Sequence, residues 1–518
     1  MKFLWRISIL LLLVITLSPA AKAAPGDVKW TYTGHILISD LALNRDGTIY
    51  ITSATTPTTT EIPLPSGGYM IVTSPGSETN DLIALHPDGQ VKWQKPNVGQ
   101  HIAVLSSGRV LVTHNLLYTA VTPLASGGTI TSVVRSIDRS TGFEPNGDVW
   151  QESVLNGRVA ITANDDIIAL NHGPAESPAD QNMIVRTGNA GWQSPPLEYL
   201  ASFPVIGPDG TIYAVTDRTV GHFNTVALPS GMSLIAPSPT NRIHALTSSG
   251  TPKYGLENTN LFLYPPVFGN EGSLFVSCLE TKTNGDGVTY NEASVRSLSA
   301  GLQSERWRKT GTSRFGPIVV GTNNHIYTGN TSGLYALDDT GAERWFFPTT
   351  YEVNLSPALA ADGTVYFVSA DTLWAVDAED GTLRWSYKTT GTIKTAPTIG
   401  PDGTIHLLLS DTVFLSDTLL ALEGTAPPAN APWPQDRHDA QRTSRATQAS
   451  AGGLSRNVDG KFSLSLNLEP GRAYKVEASE DFQTWTEIGS FNSNSAAQTF
   501  LDETSAGKPQ RFYRLALP

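Results

Sequence analysis

The sequence predicts an all-β chain assembled from a repeated four-stranded unit, and three features predict it. Its 518 residues include 46 Gly and 34 Pro but only 16% charged residues, a composition suited to many short strands joined by tight turns. One unit recurs along the chain at a spacing of about 40 residues, and many copies end in Gly-x-x-x-Trp or a close variant. A chain of this length exceeds what one hydrophobic core organises, so repeats or several domains are required.

The clearest copy reads Ser356-Pro357-Ala358-Leu359-Ala360-Ala361-Asp362-Gly363-Thr364-Val365-Tyr366, then Leu373 to Asp377, then Gly381-Thr382-Leu383-Arg384-Trp385, and Ala396-Pro397-Thr398-Ile399 restarts it. Asp-Gly pairs at 46–47, 209–210, 362–363 and 402–403 each separate two apolar runs. That placement predicts type I′ hairpins, with positive φ at both central residues, and makes these aspartates turn formers and not catalysts.

Eight inner-strand starts are expected, near Asp40, His101, Asn156, Phe203, Pro265, Gly316, Ser356 and Ala396. The period matches propeller blades, so residues 24–424 are read as an eight-bladed β-propeller, with seven blades as the alternative. Extra length falls in Thr/Pro/Ser/Gly-rich insertions around 54–80, 115–131, 171–199, 224–240 and 280–292. The last copy lacks its final strand, while Gly26-Asp27-Val28-Lys29-Trp30 stands alone near the N-terminus. The N-terminal strand is therefore expected to complete the last blade and remove an exposed edge.

The end of the unit, Ala-x-Asp-x-x-x-Gly-x-x-x-Trp, is complete at Ala375, Asp377, Gly381 and Trp385. Shorter versions end in Trp93 and Trp345, one ends in Tyr254, looser ones end in Trp150 and Trp307, and Trp30 fills the place in the closing strand. This pattern resembles the tryptophan-docking motif of PQQ-repeat propellers, the quinoprotein-like and outer-membrane-assembly-like family. The resemblance implies that each ring packs on the neighbouring blade, a burial worth up to roughly 4–6 kcal/mol for an aromatic side chain.

Residues 425–460 turn Pro-, Ala- and Ser-rich and are read as a linker. Within it, Trp433-Pro434-Gln435-Asp436-Arg437-His438-Asp439 resembles the Trp-Pro-x-x-Arg-His-Asp signature that flanks such propellers in exported bacterial proteins. Trp433, Arg437, His438 and Asp439 are expected to form a structural clasp, since one His with two Asp in six residues lacks a credible metal geometry. From 461 to 518, alternating runs such as Phe462 to Leu466 and Tyr474 to Ala478, with Asp481, Trp485 and the closing Phe512-Tyr513-Arg514-Leu515, are similar to the small terminal β-sandwich modules of secreted bacterial proteins.

Residues 1–23 have the layout of an export signal: Lys2 and Arg6, an apolar run from Ile7 to Leu17, and Ala21-Lys22-Ala23. The apolar run is too short to span a bilayer, and no Cys follows it to carry a lipid, so an exported periplasmic or extracellular protein without a transmembrane or lipid anchor is expected. The sole cysteine, Cys278, lies in an apolar run and is expected to be buried and inert. A net charge of −12 without a basic stripe argues against nucleic acid.

The resemblance also raises a quinone- and calcium-dependent oxidoreductase, in which PQQ sits in the axial funnel. A single cysteine excludes the adjacent-cysteine disulfide of the alcohol-oxidising branch, and Asn284-Gly285-Asp286-Gly287 has too few carboxylates for a known calcium loop. A carbohydrate-active enzyme on a propeller is the further alternative. With no nucleophile elbow, zinc motif or phosphate loop, the expectation is a non-catalytic monomer, free of cofactors, that binds a protein or polysaccharide through its loops.

Overall fold

The structure is a computed structural model that describes residues 23–516 except for short stretches, including 34–37, 54–58, 64–68, 74–79, 124–128, 173–181, 412–415 and 446–449. The expected export signal, its cleavage motif up to Lys22, and Asp481 lie outside the described residues. Among the described residues no helix is long and apolar enough to cross a membrane.

Strands dominate, and among the described residues the sheets give eight four-stranded antiparallel units, called blades here in chain order. Their first strands are Ile38–Leu43, His101–Val104, Asn156–Ile161, Val205–Ile206, Val267–Phe268, Ile318–Val320, Ala358–Leu359 and Thr398–Ile399. Blade 7 shows the pattern plainly: Ala358–Leu359, Thr364–Ser369, Thr372–Asp377 and Leu383–Lys388 pair in that order. Its second strand is buried at every position, because it lies mid-sheet with neighbouring blades on both faces. Its fourth strand alternates between half-buried and exposed, as an outer strand must. Blade 8 takes its fourth strand from the other end of the chain: Val28–Thr33 runs antiparallel to Ser416–Leu422, with Trp30 opposite Ala421 and Tyr32 opposite Leu419.

The hairpins differ from the expected type. In each Asp-Gly pair only the glycine has positive φ. Gly47 donates its N–H to the Asn44 carbonyl, Asn44 donates to Thr48, and the Asp46 carboxylate accepts the Thr48 N–H at 2.8 Å. This is a type I turn closed by a glycine bulge, not type I′. Asp209, Asp362 and Asp402 accept the N–H two residues on in the same way, so the aspartate acts by its carboxylate and needs no left-handed backbone.

Indole rings join the blades. Trp345 of blade 6 donates to the Ala378 carbonyl of blade 7 at 3.0 Å, and a Cβ on Gly381 would stand 2.7 Å from its ring, so glycine is required there for the close approach as well as for its φ of +75°. Trp30 to Pro87, Trp93 to Pro145 and Trp307 to Asp339 repeat the hydrogen bond, at 2.8, 2.9 and 2.7 Å. Trp385 lies over Gly26, tying blade 7 to the closing strand. Trp150 packs into the cluster shared by blades 2 and 3, with the Arg109 guanidinium over its ring. Tyr254 packs into the cluster that joins blades 4, 5 and 6, and its hydroxyl meets Tyr213 of its own blade at 2.9 Å. The junction of blades 3 and 4 is made by Trp192, which donates to Ser248 at 2.9 Å and stacks on Gly250. The sequence reading passed over Trp192 because it placed 171–199 in an insertion. That range instead holds the last two strands of blade 3, Asn182–Thr187 and Trp192–Gln193.

Beyond the blades, two three-stranded sheets face each other over Leu464, Leu466, Tyr474 and Val476. One of them includes Ser450–Arg456, inside the stretch read as linker, where Leu454 pairs with Leu464. Buried Asp502 accepts from Arg511 at 2.8 Å and from the Tyr513 hydroxyl at 2.9 Å, joining the two sheets.

Candidate functional site

The segment after blade 8 folds back across the axis of the ring. Main-chain N–H groups at the last residues of six inner strands donate to it: Val104 to Gln441, Ile161 to Thr443, Ile206 to Ser444, Val320 to Trp433, Leu359 to Pro434, and Ile399 to the Gln435 side chain, all between 2.8 and 3.1 Å. These donors form the free edges of the innermost strands, and the segment satisfies them as a neighbouring strand would.

Two buried guanidiniums extend the contact. Arg437 donates to the carbonyls of Ile102, Val159 and Arg442, at 3.1, 3.2 and 2.8 Å. Arg442 donates to the Leu41 carbonyl at 2.9 Å and to Thr398 at 3.1 Å, and pairs with Asp436. Trp433 is buried between Phe268 and His438, at ring separations of 6.0 and 5.4 Å. Asp439 accepts the Thr443 N–H and hydroxyl and faces His438 at 3.3 Å. Burial pushes the Asp439 carboxyl up, but His438 and Thr443 outweigh it and hold the group below the usual carboxylate range. Arg437, His438, Arg442 and Ser444 all hold left-handed backbone, with φ from 51 to 78°. Such positions cost about 1–3 kcal/mol each, which the dense hydrogen bonding offsets.

The clasp therefore stops one end of the axial channel. Above it lies a chamber of about 300 Å³, lined by Phe203, Tyr264, Pro265 and Pro317 on the side of blades 4 to 6 and by Lys394 and Asp40 on the side of blades 8 and 1, with Trp433, Asp436, Arg437 and Arg442 as its floor. Lys394 is held by both oxygens of Asp417, at 3.1 and 3.0 Å. Asp40 accepts the N–H groups of Leu41 and Ile102. Nearly every wall residue stands just before an inner strand, so the chamber opens at the end where those strands begin.

In an antiparallel blade the connection from second to third strand lies at that same end. The long connections of blades 1 to 5 are all of this kind: 54–80, the hairpin of Val110–Pro123 and Thr129–Phe143, 173–181, 218–240, and the hairpin of Leu274–Thr283 and Thr289–Leu298. Blades 6 and 7 turn in two residues there. The insertions of blades 1 and 2 join one sheet, with Tyr69–Thr73 pairing along Thr119–Val121. Blade 4 adds the hairpin of Phe223–Ala227 and Ser233–Pro237. One face of the ring thus carries both the chamber mouth and all the added length.

Residues 291–516 match the profile of the family described as outer membrane protein assembly factor BamB. Over that part the chain is similar to BamB-like PQQ-repeat propellers. No curated protein matches the chain. Among solved structures it is similar to BamB from Moraxella catarrhalis, at 12% identity over 71% of this chain and 99% of that one, with a TM-score of 0.38.

The cations at the chamber floor are committed to the fold. A tricarboxylate needs free cations, and both floor guanidiniums already serve main-chain carbonyls of the inner strands. Among the described residues no three His, Cys, Asp or Glu side chains come together, and Asn284 to Gly287 form the tight turn of a hairpin. Cys278 is fully buried, and burial pushes its thiol up to about 12. The sequence singled out Trp433, Arg437, His438 and Asp439 of this segment but not Arg442. It did not show the chamber, although the walls follow from the repeat phase, since Asp40, Phe203, Pro265 and Ala396 had marked inner-strand starts.

Proposed function

We propose that this chain is an exported, non-catalytic scaffold that holds a protein partner on the insertion-bearing face of its ring. The observation that carries the reading is that all five long connections lie at the one open end of the channel, while the other end is stopped by the clasp. Strands and docking indoles are committed to packing, which leaves that face as the variable surface, and loops on a rigid frame serve recognition. The description of the matched family, an outer membrane protein assembly factor, supports a protein partner in the cell envelope. The scaffold works without quinone or calcium, because the groups that would hold them are occupied.

The test compares capture from an envelope fraction by the full chain and by a variant with 54–80 and 115–131 replaced by Gly-Ser turns, identifying bound species by mass spectrometry. The variant should melt as the parent does and lose a protein that the parent retains. Equal capture by both, or capture of polysaccharide alone, would overturn the reading. Stoichiometric quinone binding with dye-linked turnover would overturn its non-catalytic part.

A further inference from the structure

Among the described residues blade 8 alone joins strands from the two ends of the ring, and its packing residue differs in kind from that of its neighbours. The second strands of blades 1, 4, 6 and 7 carry Tyr50, Tyr213, Tyr327 and Tyr366 after the turn. Blade 8 reads Asp402-Gly403-Thr404-Ile405-His406. The imidazole occupies the place of the phenol: Tyr366 lies 5.6 Å from Trp385, Tyr327 5.8 Å from Trp345, and His406 5.8 Å from Trp30 of the closing strand.

A tyrosine reaches further than a histidine. Tyr327 donates to the Ala378 carbonyl of the next blade, and the Tyr366 hydroxyl meets Thr425 at 2.7 Å. At the seam of blades 8 and 1 a cavity of about 250 Å³ stands instead, lined by His406, Pro401, Asp402 and Thr404 from one side and by Asp46, Gly47 and Pro87 from the other. His406 is 2% exposed, and its Nδ1 faces no hydrogen-bond partner among the described residues.

We infer that the ring closes through an acid-sensitive latch, in which protonation of His406 favours release of the closing strand Val28–Thr33. The charged groups around the imidazole are Lys29 on the closing strand, Asp402 on its own turn, and Arg45 and Asp46 on the facing turn of blade 1. Lys29 is bound to Asp402 at 3.3 Å and to Glu423 at 3.4 Å, which makes it a fixed cation beside the ring. In the closed seam burial drives the imidazole down to about 4, Asp402 and the main chain of Thr398 and Thr404 oppose this only in part, and the Lys29 charge adds to it. Once the strand lifts, water reaches the ring and it takes its proton near the ordinary value of about 6.5. The closed seam thus excludes a proton that the open seam binds. Between pH 7 and pH 5 this linkage raises the opening equilibrium roughly 20-fold.

Hydrogen exchange of the full chain at pH 7 and pH 5, corrected for intrinsic rates, tests the latch. Amides of Val28–Thr33 and Ser416–Leu422 should open about 20-fold more often at pH 5, while the corresponding outer strand of blade 7, Leu383–Lys388, stays protected. His406→Phe, which keeps a ring in the packing place without a titrating group, should abolish the change, and His406→Tyr, the residue of blades 1, 4, 6 and 7, should do the same. His244→Phe, at a half-buried histidine of blade 4, should leave the seam response intact. An equal rise in both outer strands, or a seam response that survives His406→Phe and His406→Tyr, would overturn the inference.

Discussion

The guanidinium of Arg442 donates to the main-chain carbonyl of Leu41, 401 residues earlier in the chain, at 2.9 Å. That bond joins the clasp to the first blade, while the same side chain reaches Thr398 of the last. One arginine therefore spans the seam from the inside of the ring, as Trp30 spans it from the outside.

Arg442→Ala should cost about 3–5 kcal/mol, because it leaves Asp436 without its cation and the Leu41 carbonyl without its donor. Arg442→Lys should recover little, since an ammonium cannot direct donors to Leu41, Thr398 and Asp436 together. Urea unfolding of the two variants against the parent measures both.

Trp345→Ala should destabilise by about 3–5 kcal/mol through lost packing and the lost hydrogen bond to Ala378, and Trp345→Phe should cost less, losing that bond, worth about 1 kcal/mol, and only part of the ring. Gly381→Ala should be harmful as well, with its Cβ directed into the indole. Similar costs for Trp345→Ala and for an exposed aromatic such as Tyr351→Ala would show that docking contributes nothing.

Stability should fall as the solution is acidified from pH 6.5 towards 4. His244 and His406 are both pushed down to about 4, first by burial and then by Arg242 in one case and Lys29 in the other. The unfolded chain binds those two protons from about pH 6.5, the folded chain only near pH 4, so the folded state is at full strength above the window and loses up to roughly 3 kcal/mol per histidine across it. Below it, Asp402 and Asp439, held beneath the usual carboxylate range, continue the loss. Urea midpoints at pH 7, 5.5 and 4.5 should decline in that order; a constant midpoint would contradict the desolvation of these two rings.

The Cys278 thiol should not react with a disulfide reagent in the folded protein and should react at once in denaturant, because it is fully buried and held protonated. Following the release of the coloured thiolate product in buffer and in urea decides it.

The sequence alone determined the repeat and its local chemistry. Asp-Gly between apolar runs placed the hairpins, and Gly-x-x-x-Trp placed the docking rings, because turn formation and aromatic burial act over a few residues and leave a periodic trace. The same local view misjudged the turn type, since the choice between types I and I′ lies in backbone angles that an Asp-Gly pair permits either way. It also missed Trp192, whose partner Gly250 lies in another blade. Only the tertiary structure decided that Arg437 and Arg442 are spent on carbonyls of blades 1 to 3, and that Phe203, Tyr264 and Lys394 share one chamber. It likewise showed that His406 faces a cavity at the seam. Those relations join residues tens to hundreds of positions apart around a closed ring, and closure is set by how whole blades pack against one another, which no short stretch of sequence encodes.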